Sequence, residues 1–246
     1  MRPDASKKIA AASPKGGPNP VVIGAVVAAV LIVGVVVAIL MAGSGTSGAG
    51  SASSAAPVGV VGGEGGGIVA NAATAKSNAP TMDIYEDFQC PACGDLEKRM
   101  GAEVTRMATA GEIKLVLHTL SFLDNNLKND SSARAANAAA CAADAGKVME
   151  YHSAVFAAIP AQEGVGYTDA QLTEFATTAG ITGAPLTTWQ TCTSSGQHDP
   201  YVTAVQTRAE KDGVFSTPTV KLNSQDITKS LSTADALVAQ VKAATK

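Results

Sequence analysis

Two cysteines stand two residues apart in Phe88-Gln89-Cys90-Pro91-Ala92-Cys93, and this is the most reactive spacing in the chain. Just upstream, Thr81–Phe88 (TMDIYEDF) alternates like a strand; downstream, Leu96, Met100, Val104 and Met107 recur at helical spacing. Cys90 therefore falls where a strand ends and a helix begins. Unpaired N–H groups and the positive end of the helix dipole favour an anion at that point. A thiolate is stabilised there, and its pKa drops below ~8.5. Pro91 suits the first helical turn, where an N–H has no intrahelical partner. Cys93, one turn in, is placed to resolve a mixed disulfide on Cys90. A pKa lowered by about two units stabilises the thiolate by roughly 2.7 kcal/mol, which makes the couple roughly 60 mV more oxidising.

The same spacing occurs in half a zinc site, which needs two more ligands close by. Cys141 and Cys192 are 51 residues apart, and His118, His152 and His198 form no ligand pair, so no metal site is expected. Four cysteines allow three pairings. Cys141 and Cys192 lie in helical surroundings without a nearby cysteine and read best as a mutual structural disulfide. Closing a loop of about 50 residues contributes roughly 4 kcal/mol. Other residues take ordinary roles: His118 a satisfied polar group at a strand end, His152 on a helix surface, Trp189 packing near Cys192, Lys98 and Arg99 solvated.

The elements around these residues follow from pattern. Ile68–Ala70 is a short strand. A helix runs from about Pro91 to Ala110 and stops at Gly111, and Ile113–His118 is the next strand. A β-α-β unit of this length makes its strands parallel, with a right-handed crossover. Helices are predicted over Ser131–Gly146 and Val148–Ala158. Another starts at Thr168, with Gln171 completing a capping box and Gly180 ending it. Pro200–Lys211 is also helical. Strand returns at Thr219–Leu222, turns at Asn223-Ser224-Gln225 and continues over Asp226–Thr228. Ser232–Ala244 closes with an amphipathic helix. The order predicts a small α/β sheet interrupted by a helical insertion at about residues 124–212, within a body of 179 residues, 68–246.

All ten aromatic residues fall between Tyr85 and Phe215, so the first 80 residues hold no ordinary core. Val21–Ala42 is 22 residues without a charge. As a helix it spans about 33 Å, close to the ~30 Å hydrocarbon core. A cleaved secretory signal is the rival, but its apolar region is usually about 7–15 residues long. No cysteine follows that would accept a lipid. The reading is an uncleaved transmembrane anchor. Residues 1–20 carry Arg2, Lys7, Lys8 and Lys15 against Asp4, net +3, and the next basic residue is Lys76. The positive-inside rule keeps that tail cytoplasmic and sends the rest across the membrane. Residues 43–67 hold ten glycines and five serines and read as a flexible linker. The whole chain carries 18 Lys+Arg against 21 Asp+Glu, net −3, which makes no electrostatic case for nucleic acid.

FQCPAC after an apolar strand, and Thr217-Pro218 before a strand–turn–strand–helix, resemble the thioredoxin superfamily. YEDFQCPAC, SSARAANAAACAADAGK, MEYHSAVF, GYTDAQL and KDGVFSTPTV more closely resemble the membrane-anchored DsbA-like thiol:disulfide oxidoreductases of actinobacteria. A CxxC alone is a weak signal; joined to the Thr-Pro at this separation and to the helical insert it is a strong one. The likeness covers nearly all of 68–246. It implies a thioredoxin fold with an inserted helical subdomain, preceded by one transmembrane helix. It implies Cys90 as nucleophile, Cys93 as resolving partner, and the two as a redox-active disulfide. It implies a cis Pro218 packed on their sulfurs behind Thr217, and Cys141–Cys192 as the structural disulfide. Reduced exported proteins would be the substrates, docking in extended form near Pro218, and a membrane quinone-linked partner would reoxidise the pair. No cofactor is called for, and no dimerisation module is legible, so a monomer is expected. The other readings are a reductase of the same compartment and a non-catalytic peptide- or metal-binding module.

The chain departs from the family pattern in three places. Many thioredoxin-like enzymes carry a buried acid six residues before the first cysteine, for proton transfer to the second thiol; here Ile84 holds that position, with Glu86 two residues on. Pro91-Ala92 includes no histidine to support the thiolate. The turn at Asn223-Ser224-Gln225 lacks the glycine common there.

Overall fold

The computed structural model describes residues 56–245. The tail, the apolar segment 21–42 and residues 43–55 lie outside the described residues, and among those described no helix is long and apolar enough to cross a membrane.

Strands β1 (Ile68–Val69), β2 (Thr81–Glu86), β3 (Lys114–Thr119), β4 (Thr219–Leu222) and β5 (Gln225–Asp226) form one sheet in the order β1-β3-β2-β4-β5. β2 and β3 are parallel, in the register Met82↔Leu115 and Ile84↔Leu117, and all other pairs are antiparallel. The parallel pair is joined by α1 (Pro91–Thr109), as a β-α-β unit requires. In-register neighbours share a face, so Met82, Ile84, Leu115, Leu117, Val220 and Leu222 make one apolar surface. Leu96, Met100, Val104 and Met107 of α1, with Leu237 and Val241 of α8 (Ala234–Ala244), cover it. Each such side chain, once buried, contributes roughly 1.5–3 kcal/mol. On the other face the Tyr85 ring stacks on His118 at 4.0 Å, and the His118 Nε2 sits 3.0 Å from Asp83. His118 is the satisfied polar group expected of it. The β4–β5 turn closes without glycine: Asn223 and Ser224 take left-handed φ of 48° and 69°, and Asn223 accepts from the Thr81 N–H.

Between β3 and β4 the chain leaves the sheet for six helices: α2 (Leu123–Leu127), α3 (Ser131–Asp144), α4 (Val148–Ala157), α5 (Asp169–Thr178), α6 (Ala184–Ser194) and α7 (Asp199–Lys211). α3 runs through the middle, packed against α4, α5, α6 and α7. Its buried positions are mostly alanine, because a helix surrounded on several sides has room for methyl groups and little more. Thr168 and Gln171 form the expected capping box at the start of α5. Pattern did not foresee α2, which is five residues long and tied down by Asp124 accepting from the N–H groups of Ser132 and Ala133. It gave Cys192 helical surroundings but drew no bounds for α6, whose threonines bond back to carbonyls one turn earlier.

The expected linker is corrected over its last residues. Val60 bridges Ile68, the Val61 N–H donates to Gly67, and Gly65, Gly66 and Gly67 are buried. Tyr201 donates its hydroxyl to the Gly66 carbonyl at 2.9 Å, and Arg208 reaches the Gly62 carbonyl. Glycine serves close approach here, not flexibility. At Gly65, with φ +68°, a Cβ would run into the Ala204 carbonyl of α7. Gly65→Ala is therefore expected to lower stability by about 1–3 kcal/mol. Denaturant unfolding checks this; an unshifted midpoint would detach the segment from the fold.

Candidate active site

Strand β2 ends at Glu86, and four residues later Cys90 becomes the N-cap of α1, with Pro91 in the first turn. The Cys90 carbonyl accepts from the Cys93 N–H, which makes the first bond of the helix and brings the second thiol in behind the first. Cys90 is 7% exposed and Cys93 is fully buried. Both are free thiols in the structure. From the far end of the insertion, the loop before β4 returns to the same place. Its Thr217–Pro218 bond is cis, and the Cys90 thiol donates to the Thr217 carbonyl at 3.6 Å.

These surroundings separate the two sulfurs chemically. The Cys90 pKa is lowered to about 6, foremost by a hydrogen bond from the Cys93 thiol. Thr217 and the N–H groups of Cys93 and Ala92 add to this against the opposing effect of burial. The Thr217 hydroxyl is buried and has no other partner, so a thiolate at Cys90 gives it an acceptor. The Cys93 pKa is pushed far up, first by burial and then by its bond to Cys90 and the charge of Glu86. One sulfur is poised to ionise while the other keeps its proton.

Two acidic groups support this end of the sheet, and neither was assigned a role from sequence. Asp87 is wholly buried. Its carboxylate accepts from the Ser132 hydroxyl at 2.6 Å, the Gln89 N–H at 2.9 Å and the Leu123 N–H at 3.2 Å. The strand end is thereby fastened to α2 and α3. Glu86 is 2% exposed and lies 2.8 Å from the His152 Nε2 of α4. Burial first, then Cys90, raises its pKa well above the usual carboxylate range. His152 is not on a helix surface. α4 packs against α1, and the ring is 5% exposed among Phe88 and Phe156. A signal for this was present: period-2 alternation carries Ile84 and Glu86 to one side of β2, and that side faces α1.

Cys141 and Cys192 are bonded to each other, joining α3 to α6 with their Cα atoms 6.0 Å apart. Trp189 packs beside them and donates its indole N–H to the Ala138 carbonyl at 3.0 Å, the packing role read from sequence.

A family model described as Thioredoxin matches residues 72–243, and the chain belongs to that family. Within it, the chain is similar to reduced DsbA from Mycobacterium tuberculosis, with 30% identity and a TM-score of 0.58 over 69% of this chain and 89% of that one. MdbA, a thiol-disulfide oxidoreductase from Corynebacterium diphtheriae, is 24% identical over 71% of this chain and 89% of its own, with a TM-score of 0.59. BdbD from Bacillus subtilis is 18% identical over 70% and 90%, also at 0.59. The latter two likenesses concern the fold. No curated protein sequence matches the chain.

Proposed function

We propose that this chain is a thiol:disulfide oxidoreductase that passes the Cys90–Cys93 disulfide to exported proteins. One observation carries the reading: Cys90 caps a helix against Thr217 with its pKa lowered to about 6, while Cys93 behind it is buried and protonated. Membership of a family that includes DsbA-type relatives supports it.

In the oxidised chain a client thiolate attacks the Cys90 sulfur. The Cys90–Cys93 bond breaks, and Cys93 leaves and takes up a proton. The client is then held on Cys90 by a mixed disulfide. A second client thiolate attacks the client sulfur of that bond, and Cys90 leaves as a stable thiolate. The client loses two electrons and the chain gains them. Thr217 offers backbone groups beside Cys90 on which an extended client segment can pair, as in strand addition. Phe215, two residues earlier and 78% exposed, gives that segment an apolar contact.

The anchor at residues 21–42 and the net +3 of the tail support a location on the outer side of the membrane, where disulfides persist. A quinone-linked membrane partner would restore the disulfide. A membrane-impermeant thiol reagent applied to intact cells is expected to label Cys90 in the reduced chain; labelling only after lysis would put the site on the wrong side. Mixed in oxidised form with a reduced, unfolded exported protein, the chain should lose its disulfide as the client gains one. A client left reduced would overturn the assignment.

A further inference from the structure

Behind the reactive pair lies a second cluster that disulfide exchange does not use as a whole. Glu86 stands at the end of β2, Glu97 lies on α1 one turn beyond Cys93, and His152 projects from α4. One ligand atom from each lies within 4.8 Å of the other two. Glu86 and His152 are buried and Glu97 is half-buried. Glu86 commits one oxygen to His152 at 2.8 Å, but its other oxygen, Oε1, is buried with no hydrogen-bond partner. A native fold seldom leaves such an atom orphaned, and a bound ion is one of the few groups that can satisfy it there.

We propose that Glu86, Glu97 and His152 form a binding site for one zinc-type divalent cation. Two carboxylate oxygens and one imidazole nitrogen are a donor set for Zn²⁺; Mg²⁺ and Ca²⁺ take oxygen ligands. At metal–ligand distances of about 2.1 Å, tetrahedral donors sit roughly 3.4 Å apart. The three atoms already lie within 4.8 Å of one another, so the change needed to reach that spacing is about 1 Å or a little more. Three protein ligands leave the fourth position to water. The ion's charge would compensate two acidic side chains brought within 4.8 Å of each other and of an imidazole in a largely buried place. Glu97, the half-buried member, opens the route from solvent. No spacing in the sequence announces this site, because its members are 11 and 55 residues apart along the chain (86 to 97, 97 to 152) and meet only through the packing of α1 and α4 on β2.

Zinc also binds free thiols, so the test uses the untagged full-length chain with Cys90 and Cys93 oxidised to each other. Titrated with Zn²⁺ in a calorimeter, it is expected to bind one equivalent. Glu97→Gln, a change at a half-buried position that keeps side-chain volume, should weaken binding at least about tenfold, the loss typical even of groups that only orient a ligand. His152→Gln should do the same, and His118→Gln, at the other face of the sheet, should change nothing. Substituted with Co²⁺, the site should give a tetrahedral absorption band that Glu97→Gln removes. Absence of a stoichiometric equivalent, or unchanged binding by folded Glu97→Gln, would overturn the proposal. Disulfide transfer is not the readout, so either result leaves the redox assignment to be judged separately.

Discussion

Cys90→Ala removes disulfide transfer to a reduced client and leaves only the background exchange of the client's own thiols; Cys93→Ala has no disulfide to transfer either, but offered a client that already carries a disulfide it stops half-way through the reverse exchange. The two results differ because the two sulfurs do. With its pKa lowered to about 6, Cys90 is mostly ionised at neutral pH. A free cysteine is ionised to only a few per cent there. Cys93 is fully buried and keeps its proton, so it cannot take over when Cys90 is gone. Conversely, when the Cys93→Ala chain meets a client that already carries a disulfide, the Cys90 thiolate attacks it and expels one client thiolate; no Cys93 thiol is present to release the client, and the mixed disulfide should accumulate on a non-reducing gel. Cys93→Ala has a second consequence. The Cys93 thiol is the foremost cause of the lowered Cys90 pKa, so its removal should raise that pKa towards the ordinary value. Transfer at full rate by Cys90→Ala would end the redox reading.

The second large effect is on stability. Replacing both Cys141 and Cys192 with alanine opens a loop that spans 51 residues. In the loop-entropy model that costs about 4 kcal/mol. For a domain of this size, about 2–4 °C per kcal/mol lowers the Tm by roughly 8–16 °C. Trp189, the chain's single tryptophan, is buried beside the bond and reports the transition by its fluorescence. Well below the new midpoint the double variant should still exchange disulfides at the Cys90–Cys93 pair, because the bond joins α3 to α6 and touches neither reactive sulfur. A Tm within about 2 °C of the parent, roughly the effect of 1 kcal/mol, would mean the bond constrains little of the unfolded chain.

The β-α-β unit and the placing of Cys90 at a helix start were legible because local rules govern them: alternation on β2, helical spacing on α1, proline in the first turn. The Thr168–Gln171 capping box was legible for the same reason. What escaped depends on packing at long range. α6 is rich in threonine, a weak helix former, and is held by Trp189 and the disulfide rather than by its own propensity. His152 reads as a surface residue until α4 is seen to lie on α1. The glycines at 65–67 carry the composition of a flexible linker, yet their missing side chains are what lets the backbone lie against α7 and His118. Thr217 and Pro218 were placed beside Cys90 only through family resemblance; 127 residues separate Thr217 from Cys90, and no periodicity reaches across that gap.

The equilibrium potential of the Cys90–Cys93 pair against glutathione, followed from pH 5 to 8, tests the central claim most directly. The Cys90 pKa lies below its ordinary value, so ionisation stabilises the reduced form fully above that ordinary value. The stabilisation is lost as pH falls through about 6. Below that break two protons accompany two electrons, and the potential falls by about 60 mV per pH unit; above it only one proton does, and the slope halves to about 30 mV. The account predicts this break near pH 6, with a potential at neutral pH well above the ~ −270 mV of thioredoxin. One unbroken slope of about 60 mV to pH 8, or a potential at or below about −270 mV, would contradict it.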